Sequence, residues 1–154
     1  MDIDTYNQIL SYVDKNPIAT LSTINPDGSP HGAIVYVVAD DYRHVIYCLT
    51  KTQTRKYTNL KKYPSVSLTI VRPSDNSTLQ TSGRAFEVHD MKIIDSVMKK
   101  VAQITAVAPE WLPPLSKLNA GELVLIGIDL TYARLAHFKD RAIGDESIFI
   151  EMTS

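Results

Sequence analysis

Residues 50–64, TKTQTRKYTNLKKYP, gather Lys51, Arg55, Lys56, Lys61 and Lys62 into one short stretch that opens with Thr50, Thr52 and Thr54. Such groups bind anions. A guanidinium grips phosphate oxygens in pairs, an ammonium acts as a point charge, and hydroxyls add neutral donors. Three uses fit the pattern: a solvated helix face, a nucleic-acid patch, or a pocket for one phosphate group. A general polyanion binder carries a basic excess, whereas this chain has a formal net charge of −1, so any basic patch is local. The apolar run VIYCLT reads as a strand ending at Thr50, and TRKYTNLKKY as a short helix turning Tyr57 and Leu60 inward and stopped by Pro64. The helix start offers unpaired backbone N–H groups and the positive end of its dipole, a ready anion site built around Thr54, Arg55 and Lys56. Lys61 and Lys62 are read as surface charges.

Other reactive residue types are dispersed. His31, His44, His89 and His137 form no i, i+4 pair and no zinc-like spacing, so no metal site is expected. Cys48, the only cysteine, sits mid-strand beside Ile46 and is read as a buried small hydrophobe. GSPHG lacks the nucleophile-elbow context, and no G-x-G-x-x-G follows a strand. Asp40-Asp41 and Asp145-Glu146 are adjacent acids in loops and read as solubility charges. No catalytic residue is identified.

The elements that must position these residues follow from periodicity. DIDTYNQILSYVDKN carries Ile3, Tyr6, Ile9, Leu10 and Val13 at helical spacing, with Asp2 or Asp4 as cap and Asn16-Pro17 as stop. IATLSTI, HGAIVYVVA and VIYCLT read as three strands, the first two joined by the turn NPDGSP. SVSLTIV and TLQTSGRAFEV are two more, with Gly83 marking a bulge or bend. HDMKIIDSVMKKVAQIT is the longest helix, with Ile94, Val97, Met98, Val101 and Ile104 on one stripe and Asp90 as cap. VAPEWLPPLSKLNAGE is an irregular crossing, and LVLIGIDL with ARLAHF gives one or two last strands. An antiparallel meander with inserted helices favours a small, mainly β barrel in a single domain spanning residues 1–154. AIVYVVA is apolar throughout, so both of its faces should be covered, one by the barrel core and the other by a second subunit or a flat ligand.

An apolar fraction of 44% with 21% charged residues over 154 positions is ordinary for a globular domain. The acidic start MDIDTYNQIL is unlike a signal peptide, and a lone cysteine fits a reducing compartment, so the expected location is cytoplasmic.

In element order, residues 17–138 resemble the pyridoxamine-5′-phosphate-oxidase-like superfamily of flavin-binding split β-barrels. The resemblance is carried by ATLSTINPDGSPHGAIVYVV, VIYCLTKTQTRKYTNLKKYPSVSLTIV and TLQTSGRAFEV. It implies FMN at the interface of a homodimer, acting in two-electron transfer with an unidentified small molecule. The phosphate would be gripped at Thr50, Thr54, Arg55 and Lys56, and the ring would rest along Ile34, Val35, Tyr36 and Val37. A neighbouring strand would add polar contacts from Thr78 or Gln80. Trp111, in the rigid WLPPL segment, is either a packing anchor or a wall of the site near the partner's flavin. Two departures point away from pyridoxamine phosphate itself as substrate. The strand HGAIVYVVAD lacks the family's basic residue, and RLAH spaces Arg134 and His137 one residue too far apart for its substrate motif. Related barrels bind haem or the deazaflavin F420, so these stand as alternative cofactors, with storage or sensing without turnover as an alternative role.

Overall fold

The computed structural model describes residues 3–107 and 119–153. Asp2 and Trp111, with most of the irregular crossing, lie outside the described residues. The described chain runs α1 (Ile3–Lys15), β1 (Ile18–Ile24), β2 (Pro30–Ala39), β3 (Val45–Lys51), α2 (Arg55–Lys62), β4 (Ser65–Arg72), β5 (Ser77–Glu87), α3 (Met91–Val107), β6 (Leu123–His137) and β7 (Phe149–Thr153).

Every strand pairing among the described residues is antiparallel. The sheet order β3-β2-β1-β4-β5-β6-β7 closes on itself through β3–β6, giving a six-stranded barrel with β7 added beside β6. This is the small β-barrel expected from the meander, of the split-barrel type that the resemblance implied. Closure removes the unpaired edges that an open sheet would expose. The interior is filled from alternate positions, including Leu21, Val35, Val37, Ile46, Cys48, Leu68, Ile70, Leu79, Ile126 and Ile128.

Each helix has a distinct place. Helix α1 buries Tyr6, Ile9, Tyr12 and Val13, whereas Ile3, expected on that face, is 74% exposed because it precedes the first turn to meet the barrel. The Tyr6 hydroxyl donates to the Asp40 carbonyl at 2.8 Å and that of Tyr12 to the Ser77 carbonyl at 3.0 Å, so α1 spans the barrel end where β2 finishes and β5 begins. Helix α2 lies at the opposite end. Its Leu60 joins the core, and Asn59 Nδ2 donates to Thr23 Oγ1 at 3.1 Å and Asn25 Oδ1 at 3.0 Å. Helix α3 covers the outside of β2, β3 and β6, where Val97 packs with Val38, Val45, Tyr47 and Leu125. Asp90 caps it through Oδ1, which accepts from the Lys92 N–H at 2.9 Å.

Three of the loop acids read as solubility charges, Asp40, Asp41 and Asp145, act as fasteners, while Glu146 is exposed. Asp40 Oδ1 accepts from the Tyr42 and Arg43 N–H groups at 2.8 and 2.9 Å, and Oδ2 accepts from the Tyr47 hydroxyl at 2.7 Å. Asp41 pairs with Lys100 at 2.6 Å, and Asp145 accepts from the Ser147 N–H at 2.9 Å. Asp40 and Asp145 meet backbone donors that a turn leaves unpaired, and Asp41 an ammonium from α3, gains that adjacency in sequence does not reveal.

Candidate functional site

The basic stretch begins where β3 leaves the barrel. Thr54 is the N-cap of α2, with extended backbone at φ −96° and ψ 149°. Its hydroxyl accepts from the Tyr57 N–H at 3.4 Å and donates to the Lys51 carbonyl at 2.8 Å. With that hydrogen committed, the 2.9 Å contact between Thr50 and Thr54 has Thr50 as donor. The two hydroxyls therefore build the helix start instead of standing as free donors.

What remains unpaired at this start is specific. The Thr52, Gln53 and Thr54 N–H groups donate to Glu122, Ala120 and Lys51 carbonyls, and the Thr58 N–H donates to the Thr54 carbonyl. Tyr57 is taken by the cap. The Arg55 and Lys56 amides are left facing outward along the helix axis with no partner among the described residues. Arg55 is exposed, while Lys56 is only 9% exposed. The Lys56 ammonium makes no ion pair or hydrogen bond among the described residues. Burial holds its ammonium below the ordinary lysine value, and Cys48 nearby opposes this weakly. A buried cation without a counter-ion is costly and rare, and it fits a site that an anion completes. Lys61, in contrast, is exposed and pairs with Glu87 at 3.4 Å, and Lys62 is exposed, as surface charges should be.

This arrangement makes two effects of one substitution run in opposite directions. Lys56→Met keeps the volume and removes the desolvated charge, so the ligand-free protein should melt about 2–4 °C higher at neutral pH. Affinity for a phosphate-bearing ligand should fall. Because the folded-state pKa is depressed, the charging penalty is fully present below it and disappears as pH rises toward the unfolded value. The gain from methionine must therefore shrink toward pH 10.5, the ordinary lysine value. Thermal melts at neutral and alkaline pH check this, and a lower midpoint at neutral pH would refute it.

Beside the helix start lies a groove of about 700 Å³ lined by Asn25, Asp27, Gln53, Arg55 and Thr58 among others. The Ser29 hydroxyl and N–H hold the Asp27 carboxyl below its usual range, so this wall is anionic at neutral pH.

The second candidate surface is the outer face of the sheet. Val35 and Val37 point into the core, Val38 is covered by α3, Ile34 is 57% exposed and Tyr36 is half-buried. Pairing of Val37 with Cys48 puts this stretch one strand from the loop that starts α2. Thr78 and Gln80 share the outward face, but β5 is not a neighbour of β2. The register runs Ile34–Thr20–Thr69–Gln80–Arg134, so β1 and β4 intervene, and Ile34 and Gln80 are about 14 Å apart across three strand spacings. The resemblance implied a neighbouring strand, whereas the pairing of β4 with β1 separates β5 from β2. Ile18 and Thr20 are the residues beside Tyr36 and Ile34, and periodicity alone did not single them out.

Arg134 and His137 are three residues apart on β6 and do not converge. The Arg134 guanidinium lies 3.6 Å from the Phe149 ring centroid, with Nε 2.9 Å from Glu151 Oε1. Both partners come from β7, which the sequence did not announce. Cys48 is fully enclosed and its thiol is pushed up to about 12 by burial, so it is no nucleophile.

A sequence model of the family described as pyridoxamine 5′-phosphate oxidase matches residues 6–135. A search of the curated proteins gave no match. Solved structures share the fold at low identity. General Stress Protein 26 from Bacillus anthracis is 21% identical, with a TM-score of 0.63 and 97% of each chain covered. A heme binding protein from Mycobacterium smegmatis is 14% identical, with a TM-score of 0.66 over 99% of this chain and 59% of its own. An F420 reductase is 21% identical, with a TM-score of 0.60 over 80% of this chain and 94% of its own.

Proposed function

Since the chain belongs to the pyridoxamine 5′-phosphate oxidase family, we propose that it binds FMN and acts as an oxidoreductase toward a small molecule. The observation that carries this reading is the buried, uncompensated Lys56 beside the free Arg55 and Lys56 amides and the exposed Arg55 side chain. Together they supply two backbone donors, one bidentate cation and one point charge, a set suited to a phosphate monoester. The flavin ring would lie along Ile34 and Tyr36, one strand away.

FMN, when bound, supplies the two-electron chemistry, so the protein's part is to bind, orient and exclude water. The inert Cys48 and the scattered histidines agree with that division of labour. A substrate other than pyridoxamine phosphate is favoured, because β2 carries no Arg or Lys and Arg134 is already engaged by Glu151 and Phe149. We extend the proposal to a homodimer in the cytoplasm. Ile18, Ile34 and Val71 stand 39%, 57% and 63% exposed on one sheet face, which a second copy would cover together with the ring. Among the described residues no helix is long and apolar enough to cross a membrane.

F420 is the second reading. The groove beside Arg55 could hold a longer tail, but the ionised Asp27 in its wall opposes further negative charge, which favours FMN. The test is the visible spectrum of freshly purified protein, mass analysis of what heat denaturation releases, and titration with FMN, F420 and haem. Released or tightly binding FMN supports the reading, whereas preference for F420 or haem, or no flavin binding, overturns it. Reoxidation after NADH or NADPH addition separates an enzyme from a storage or sensing protein.

A further inference from the structure

The start of α2 is held by a second segment of the chain, and nothing in the basic stretch itself announces it. The Thr52 N–H donates to the Glu122 carbonyl at 2.9 Å and the Gln53 N–H to the Ala120 carbonyl at 2.8 Å. In return the Glu122 N–H donates to Thr52 Oγ1 at 3.0 Å. Between these bonds sits Gly121 at φ +87°, a conformation that L side chains rarely adopt. A Cβ there would lie 2.2 Å from Thr52 Oγ1 and 3.2 Å from the Gln53 nitrogen, so the position has neither the backbone freedom nor the space for a side chain.

We propose that Thr52 and Gly121 are positioning residues for the phosphate site, an inference that rests on the reading of Arg55 and Lys56 given above. Two of the three bonds consume the Thr52 and Gln53 amides and the third ties Thr52 Oγ1 to the Glu122 N–H, while the Thr54 amide is taken by the Lys51 carbonyl. They thereby fix which N–H groups stay free, those of Arg55 and Lys56, and the direction in which these point. A preorganised donor set loses little freedom on binding, and a donor displaced by a few tenths of an ångström no longer meets the phosphate oxygen squarely. The clamp touches the loop alone and lies off the β2 face proposed for the ring, so its loss should be felt by the phosphate and not by the ring.

The experiment compares FMN and riboflavin, which differ in the phosphate, by fluorescence titration of the full chain. Thr52→Val, which removes the acceptor for the Glu122 N–H, should weaken FMN about five- to tenfold and riboflavin less than about twofold. Thr52→Ser keeps the acceptor and should restore FMN binding. Gly121→Ala should act in the same direction and more strongly, and Thr52→Val keeps the test decisive if that variant does not fold. Unchanged FMN affinity in Thr52→Val, or equal loss of both flavins, overturns the clamp. If Arg55→Ala with Lys56→Ala abolishes the preference for FMN while Thr52→Val keeps it, the clamp fails and the phosphate reading stands. If wild-type protein shows no preference for FMN, the phosphate reading fails and the clamp falls with it.

Discussion

Replacing Arg55 and Lys56 together by alanine is expected to weaken FMN binding about 10²–10⁴-fold while leaving riboflavin within about twofold. A charge-assisted hydrogen bond contributes about 1.5–3 kcal/mol, so two of them amount to about 3–6 kcal/mol, and each 1.4 kcal/mol is a factor of ten. Riboflavin has the same ring and lacks the phosphate, which isolates the part of the ligand these residues would hold. The single substitutions should be unequal. Arg55 is exposed and already solvated without ligand, so water screens its contribution. Lys56 has paid its desolvation in the folded protein, and an arriving dianion recovers that cost. Lys56→Ala should therefore remove the larger share. Flavin fluorescence titrations at fixed ionic strength measure all three variants, and equal losses for FMN and riboflavin would show that these residues do not hold the phosphate.

That contrast between adjacent residues was not legible in the sequence, where Arg55 and Lys56 are two cations in a row. The helix start was legible, because an apolar strand, a threonine cap and an amphipathic turn follow one another. Which lysine is buried depends on how α2 meets the barrel, and that is fixed by Leu60 and Asn59 reaching core and loop partners more than 30 residues away in sequence. The same limit applied to the outer face. Alternation in β1 and the apolar run in β2 showed that these strands pack, but only the non-sequential pairing of β1 with β4 places Thr20 and Thr69 between Ile34 and Gln80. Strand β7 escaped because five residues with one buried side chain carry almost no periodicity, and its order comes from β6 beside it. Thr52 and Gly121 escaped for a related reason. Their bonds span 70 residues, and a glycine after Asn119-Ala120 signals a turn without saying what the turn touches.

Gly83→Val is expected to destabilise the fold by about 3 kcal/mol, at the upper end of overpacking costs, with the midpoint of urea unfolding lowered accordingly. Gly83, read as marking a bulge or bend, lies beside a bulge whose extra residue is across the strand pair. Ser82 pairs with Tyr132 but Gly83 pairs with Leu130, so Thr131 is an extra residue on β6. Its hydroxyl donates to the Ser82 carbonyl at 3.3 Å. The extra residue reverses the facing of β6. Before it, Ile126, Ile128 and Leu130 point into the core; after it, Ala133 and Leu135 do. This lets LVLIGIDL and ARLAHF run as one 15-residue strand although their alternation is out of phase. It also turns Arg134 outward beside Gln80, where it meets Phe149 and Glu151 of β7. A Cβ at position 83 would lie 2.4 Å from the Asp129 carbonyl oxygen and 2.9 Å from an Ile128 methyl, and the backbone oxygen cannot step aside without opening the bulge. Gly83→Val should thus lose stability and, in the fraction that remains folded, perturb the outer face rather than the start of α2. FMN and riboflavin affinities falling by the same factor would accord with that, and a variant as stable as wild type would show that the bulge accepts a side chain after all.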